Sequence, residues 1–180
     1  MMRRISLSIL FITPLFFVLH AQRIEVNKVD DFTGKQVIYT SWAKFYAGEG
    51  GTSQMDSEVR FRHEHNRDFM QIKIVTGTVS LTFEEDAKID FKTEQGIFSF
   101  SNLREETSGR GKGLNGGRSE QLGMTLQFTG DFSIFLKSRV EKVRYHFAEG
   151  YYDIEVPARL QRIFQRSYGL IVDEKGYYDN

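Results

Sequence analysis

The sequence predicts a mainly β, α+β domain: an antiparallel β-sheet meander, built as a sandwich or an open barrel, with one C-terminal helix. Three observations predict it. Aromatic and β-branched residues recur in short alternating runs separated by Gly, Asn and Asp. The 180-residue chain carries 16 Phe and 8 Tyr but only two prolines, Pro14 and Pro157. Convincing helical spacing occurs in one stretch alone, after Pro157.

Residues 23–29 open the pattern with Ile24 and Val26, and residues 30–35 turn the chain at Gly34. Residues 36–46 read as one strand, with Ile38, Trp42 and Tyr46 on one face and Val37, Tyr39 and Phe45 on the other. Apolar side chains on both faces imply cover on both sides, which places Trp42 in the core. Residues 47–54 form a glycine-rich loop. Across residues 55–65, Val59, Phe61, His63 and His65 share a face, and Asn66, Arg67 and Asp68 turn the chain back. Met70, Ile72 and Ile74 alternate, Gly77 interrupts, and Val79, Leu81 and Phe83 resume. After a turn at Glu84, Glu85 and Asp86, Ile89 and Phe91 lead into the short strand that begins at Ile97.

Residues 102–121 hold five glycines and no aromatic residue and read as a long loop. Leu122, Met124, Leu126 and Phe128 then alternate without interruption, the pattern of a half-buried strand. Residues 131–138 fit two patterns: a short helix capped by Asp131 and carrying Ile134, Phe135 and Leu136, which is favoured, or a strand in which Phe132, Ile134 and Leu136 alternate. Val143, Tyr145 and Phe147 pair with Tyr152, Ile154 and Val156 in a hairpin turned at residues 148–150. Pro157 suits the first turn of a helix over residues 157–168, with Leu160, Ile163, Phe164 and Tyr168 inward and Gly169 as its stop. Residues 22–172 thus form a single β-rich domain, and residues 173–180 are expected to fray.

Arg3 and Arg4, an apolar stretch from Ile5 to Leu19, and the junction Leu19-His20-Ala21-Gln22 follow the order of a secretory signal peptide over residues 1–21, cut near Ala21. The apolar stretch is shorter than a spanning helix and contains Pro14. The expected location is periplasmic or secreted. The 24 basic and 24 acidic residues balance, and loss of Arg3 and Arg4 leaves a formal net charge of −2. Nucleic acid is not an expected partner, because phosphate neutralisation needs cationic excess. The absence of cysteine excludes disulfides, thiolate metal sites and Cys nucleophiles.

His63-Glu64-His65 is the one candidate metal pair, because positions i and i+2 of a strand share a face. His146 is the other histidine beyond the export segment, and Asp68 the nearest carboxylate. Half-buried histidines at a strand end are the simpler reading, so no metal or cofactor is assigned. Gly111, Gly113 and Gly116 satisfy G-x-G-x-x-G, yet no strand immediately precedes them and no helix follows, so the phosphate-binding mechanism lacks its frame. Arg104, Arg110, Lys112 and Arg118 in this loop are offset by Glu105, Glu106 and Glu120. No G-x-S-x-G occurs, and the pairs Glu84-Glu85 and Glu105-Glu106 sit in turns as solvated charge. Tyr151, Tyr152, Tyr177 and Tyr178 are candidates for an aromatic contact surface.

The Leu19-His20-Ala21-Gln22 junction, the turn Asp31-Phe32-Thr33-Gly34 and the closing order of strand, strand and helix from Val140 onward resemble the small secreted proteins of unknown function of the Bacteroidetes type. The resemblance implies export and a β-rich fold, and it carries over no catalytic residue. The expected function is a non-enzymatic binding or structural module of the cell envelope, meeting an envelope protein. Two alternatives stand beside it: a carrier holding an apolar ligand in a Phe-lined cavity, and a hydrolase using a metal or paired carboxylates.

Overall fold

The computed structural model describes residues 22–48, 55–110 and 121–178. The expected export segment, residues 1–21, and the glycine motif at Gly111, Gly113 and Gly116 lie outside the described residues. In chain order the first strands are β1 (Ile24–Val29), β2 (Gln36–Thr40), β3 (Ala43–Tyr46), β4 (Asp56–Glu64), β5 (Arg67–Gly77), β6 (Thr82–Phe83) and β7 (Lys88–Thr93). There follow β8 (Gly96–Ser101), β9 (Glu106–Thr107), β10 (Gly109–Arg110), β11 (Leu122–Thr129), α1 (Ile134–Lys137), β12 (Val140–Phe147), β13 (Gly150–Glu155) and α2 (Ile163–Tyr178).

The strands form two open antiparallel sheets. The larger runs β1-β2-β4-β5-β11-β10, with β3 also paired to β4, and the smaller runs β13-β12-β7-β8. A two-stranded piece, β6-β9, completes the set. The sheets touch at one bridge, Asn102 to Phe128, where the Leu103 N–H donates to the Gln127 carbonyl at 2.9 Å.

Period-two alternation explains the core. Register places Val59, Ile72 and Leu126 in one row across β4, β5 and β11, and Phe61, Met70 and Phe128 in the next. All six are fully buried. From the smaller sheet Ile89, Phe91, Val143, Tyr145 and Ile154 close onto the same cluster. Phe132, Phe135, Phe164 and Ile171, from α1, its approach and α2, fill the space between. The Phe135 ring meets Phe61, Phe91, Phe100, Phe132 and Phe164, with centroids 5.1 to 6.3 Å apart. Each buried Phe stabilises the fold by roughly 1.5–3 kcal/mol before chain entropy is subtracted. A polar bond crosses this core: the Tyr145 hydroxyl donates to Ser57 Oγ at 3.1 Å. Burial pushes that phenol well above its usual range.

Five elements differ from expectation, and the first is the loop expected over residues 102–121: its described part carries β9, paired with β6, and β10, paired with β11, so a two-residue strand directly precedes Gly111. The run over residues 36–46 is two strands broken at Ser41 and Trp42, because β4 pairs with β2 at one end and with β3 at the other. Only Thr82 and Phe83 of the run from Val79 are strand, and Val79 instead turns back on Thr76. The C-terminal helix starts at Ile163 rather than Pro157, because the Gln161 carbonyl accepts the Val140 N–H at 3.0 Å and is lost to the helix ladder. It also runs through Gly169 to Tyr178, since Ile171 is fully buried and Lys175 and Glu174 find partners on the body. Residues 173–178 are thus helix rather than a frayed tail. The short helix at Phe135 forms as expected, although Ser133 takes the cap position and Asp131 Oδ1 accepts the Ser133 N–H instead.

Replacing Phe135 by Ala should cost about 3–5 kcal/mol, the range for emptying a packed aromatic site. A urea unfolding midpoint shifted by less than about 1 kcal/mol equivalent would show that the five ring contacts do not bear on stability.

Candidate functional site

Strand β4 ends at Glu64, and His65 and Asn66 form a two-residue hairpin loop with φ of +53° and +62°. Positive φ at both loop residues is the requirement of a type I′ turn. That turn carries His65 into solvent, 51% exposed, beside Glu64. His63 stays on the strand, where its Nδ1–H donates to Asp68 Oδ1 at 2.6 Å. The expected convergence of His63 and His65 on one face therefore fails, because the strand stops between them. Among the described residues no group of three or more His, Asp or Glu is placed to hold a metal ion.

Asp68 is the hub that sequence reasoning passed over. Besides His63 it accepts the Tyr168 hydroxyl at 2.7 Å and Lys175 Nζ at 2.8 Å, both on Oδ2. Burial opposes its charge, but the donors from Lys175, His63 and Tyr168 outweigh burial and hold the carboxyl below its ordinary value. Burial and the same carboxylate raise the Tyr168 phenol. With three donors on it, Asp68 clamps α2 to the β4–β5 hairpin.

The outer face of the larger sheet carries a ladder of cations and rings. The Arg62 guanidinium lies 4.5 Å from the Tyr39 centroid, and Arg60 lies 5.5 Å from Tyr39 and 4.5 Å from Trp42. Lys73 Nζ stands 4.2 Å from the same Trp42 ring. Trp42 is therefore half-buried on the outer face and not in the core, because the chain breaks from strand there. Each such contact is worth about 0.5–2 kcal/mol. Burial lowers the pKa of Lys73, and Glu58 at 3.7 Å opposes that shift.

The outer face of the smaller sheet is also ordered in rows. Ser99, Asp90, Arg144 and Asp153 lie in line across β8, β7, β12 and β13. Ser99 Oγ donates to Asp90 Oδ1 at 2.6 Å, and His146 Nε2 meets Asp90 Oδ2 at 2.7 Å. Burial opposes the Asp90 charge, but Ser99 and His146 together hold the carboxyl below its usual value. The carboxylate stands between hydroxyl and imidazole, so the hydroxyl proton is directed at Asp90 and not at a histidine base. Arg144 forms a two-pronged pair with Asp153, at 2.6 and 2.8 Å. The neighbouring row is Ile97, Lys92, Lys142 and Glu155. A shallow groove of about 250 Å³ lies over Asp90, Lys92, Ile97, Lys142 and Arg144.

Strand β8 is an edge without a guard. Its sequence, Gly96-Ile97-Phe98-Ser99-Phe100-Ser101, has no charge and no proline, and its register with β7 is unbroken. The edges at β1, β3 and β13 carry the usual deterrents. Strand β1 has Glu25, Lys28 and a bulge, β3 has Lys44 and an irregular register, and β13 has Asp153 and Glu155. Pairing of the Asn102 N–H with the Ala87 carbonyl sets the parity of the β7–β8 ladder. That parity turns the main-chain groups of Ile97 and Ser99 outward, away from β7. Ile97 is 70% exposed. Beside this edge, a second open groove of about 400 Å³ is lined by Phe98, Phe100, Ile134 and Lys137, among others.

The remaining candidates stay apart. Glu84 and Glu85 are exposed in their turn, and Arg104 pairs with Glu106 at 2.7 Å. Tyr151 and Tyr152 are exposed on β13, with Arg144 over the Tyr151 ring at 4.4 Å. The chain matches no known family model, no curated protein and no solved structure.

The Asp68 hub yields a signed prediction. A carboxyl held below its ordinary 3.8 stabilises the fold fully above that value, and the contribution is lost as pH falls through the lower folded-state value. At neutral pH Asp68→Asn should cost roughly 1–3 kcal/mol, because Lys175 loses its charged acceptor. The gap between wild type and variant should then narrow on acidification below about pH 4. A gap that is constant from pH 7 to pH 2 in chemical denaturation would remove the ion-pair account.

Proposed function

We propose that the chain is a non-enzymatic binding module of the cell envelope, exported by residues 1–21, that makes its contact by strand addition along β8. The observation that carries this reading is the open edge at Ile97 and Ser99, with unguarded main-chain groups on one side and a groove lined by Phe98, Phe100 and Ile134 beside it. An added strand gains main-chain hydrogen bonds from the edge and seats alternate side chains in the groove. The polar clusters elsewhere support a binding role over catalysis. Asp68 and Asp90 already hold their neighbours in closed sets of donors and acceptors, and so stabilise the scaffold that presents the edge.

Two measurements test this. Cell fractionation should place the protein outside the cytoplasm with Gln22 as its first residue, and retention of Met1 in the cytoplasm would defeat the export half. A photo-crosslinking side chain at position 97 of the full chain, expressed in its own cell, should give a discrete adduct. Ser99→Pro should abolish that adduct while shifting the unfolding midpoint by no more than about 2 kcal/mol, because the proline removes an outward N–H on an edge and one hydroxyl bond to Asp90. An adduct unaffected by Ser99→Pro, or none at all, would defeat the edge half.

A further inference from the structure

We infer that the strand received by β8 is β8 of a second copy, paired antiparallel about a two-fold axis through Phe98. The inference rests on the edge reading above and names its occupant. A two-fold between identical antiparallel edges admits three registers near this segment, with the axis at residue 97, 98 or 99. Charge on the outer face separates them. Ile97 lies in the row of Lys92 and Lys142, and Ser99 in the row of Asp90 and Asp153. An axis at Ile97 runs the Lys92 row into the Lys92 row of the other copy. An axis at Ser99 runs Asp90 toward Asp90. The axis at Phe98 sets Ile97 opposite Ser99, so that each Lys92 row continues into an Asp90 row. The facing charges stand three strand spacings apart, about 14 Å, so opposite signs in line favour the middle register by a small margin.

The hydrogen-bond inventory selects the same register, since an axis at Ile97 would pair Ser99 with Gln95, whose N–H already donates to Thr93 Oγ1 at 3.1 Å. With the axis at Phe98, Ile97 and Ser99 of each copy exchange both main-chain bonds with their counterparts, four bonds in all. An axis at Ser99 would instead require Ser101 to pair with Ile97 of the other copy. That end of the edge is closed by β11, where Leu103 donates to Gln127. The middle register also covers Ile97, otherwise 70% exposed, and brings the two half-buried Phe98 rings together over the groove face. The two four-stranded sheets become one sheet of eight, and the free edge disappears from both copies. Such pairing closes at two copies and cannot propagate.

The absence of cysteine makes the test clean, because one introduced thiol per chain can only bridge two copies. Full-length exported protein carrying Phe98→Cys, Ile97→Cys, Ser99→Cys or Tyr151→Cys is oxidised mildly and resolved without reductant. Phe98→Cys should form a covalent dimer at least tenfold faster than the other three, since a non-hydrogen-bonded pair on the axis falls within disulfide reach. Wild type should sediment as a concentration-dependent dimer, and Ser99→Pro should weaken that dimer about tenfold or more. The wild-type measurement stands even where a cysteine variant folds poorly. Preferential bridging at 97 or 99 would overturn the register, and equal bridging at Tyr151 would overturn the edge-to-edge dimer. A wild-type monomer at all concentrations, with the Ile97 adduct in cells still lost in Ser99→Pro, would sink the second copy while sparing strand addition. Loss of both signals would sink both.

Discussion

The packing of aromatic rings around Phe135 is the constraint from which the rest of the molecule follows. The chain has no cysteine to staple it, so burial of apolar side chains must hold two sheets and two helices in register. Rings from β4, β7, β8, the approach to α1 and α2 converge on that one side chain. Helix α1 shows the dependence most directly. It is four residues long, far below the length at which a helix is stable alone, and it exists because Phe132 and Phe135 are held inside. Helix α2 is set in the same way at its start, where Phe164 packs on Phe45 and Phe91 at 4.9 and 5.2 Å.

A core so apolar drives polar groups to the outer faces, where they are matched pairwise. The central strand β5 illustrates the cost. Lys73 points outward yet its side chain is only 9% exposed; burial lowers its pKa, Glu58 beside it opposes that shift, and its ammonium stands against the Trp42 ring. Asp68 and Asp90 follow the same rule: each is surrounded by donors that outweigh the desolvation of a partly buried carboxylate. These clusters join elements distant in sequence. Asp68 ties the β4–β5 hairpin to α2, and Asp90 ties β7 to β8 and β12. Against this background an edge with neither a charge nor a bulge stands apart.

The sequence made the antiparallel β-rich class and most strands legible, because alternation of period two is a local property. Leu122 to Phe128 reads directly as a strand with one buried face, and the structure places it in the larger sheet between β5 and the two-residue β10. What escaped was set by contacts far along the chain. The break at Trp42 depends on β4 serving two partners, and the delayed start of α2 depends on a bond from Val140. The Asp68 hub joins residues 5, 100 and 107 positions apart, a separation no spacing motif reports. His65 was misplaced by one turn residue, which was enough to move it from a shared face into solvent. For β8 the strand itself was legible, but its position at an edge follows only from the strand order β13-β12-β7-β8.

The openness of that edge is a consequence of how tightly β8 is pinned, and this gives it a physical use. At one end Gly96 takes a φ of +134°, a conformation that suits glycine, to leave the turn from β7. At the other, Asn102 bonds to Ala87 and Leu103 to Gln127. Between them Phe100 must face inward to complete the ring cluster, and Phe98 shares its face, which turns Ile97 and Ser99 out. The turn after β11 crosses so closely that a Cβ on Gly130 would stand 3.1 Å from the Phe100 ring, which leaves no slack for a bulge at that ring. A lysine in place of Ser99 would remove the hydroxyl that bonds Asp90. The usual deterrents therefore conflict with the packing that builds the domain, and the edge left open is also rigid. Rigidity lowers the entropy lost when another strand is added, so the same contacts that hold the core preorganise the edge proposed to receive one.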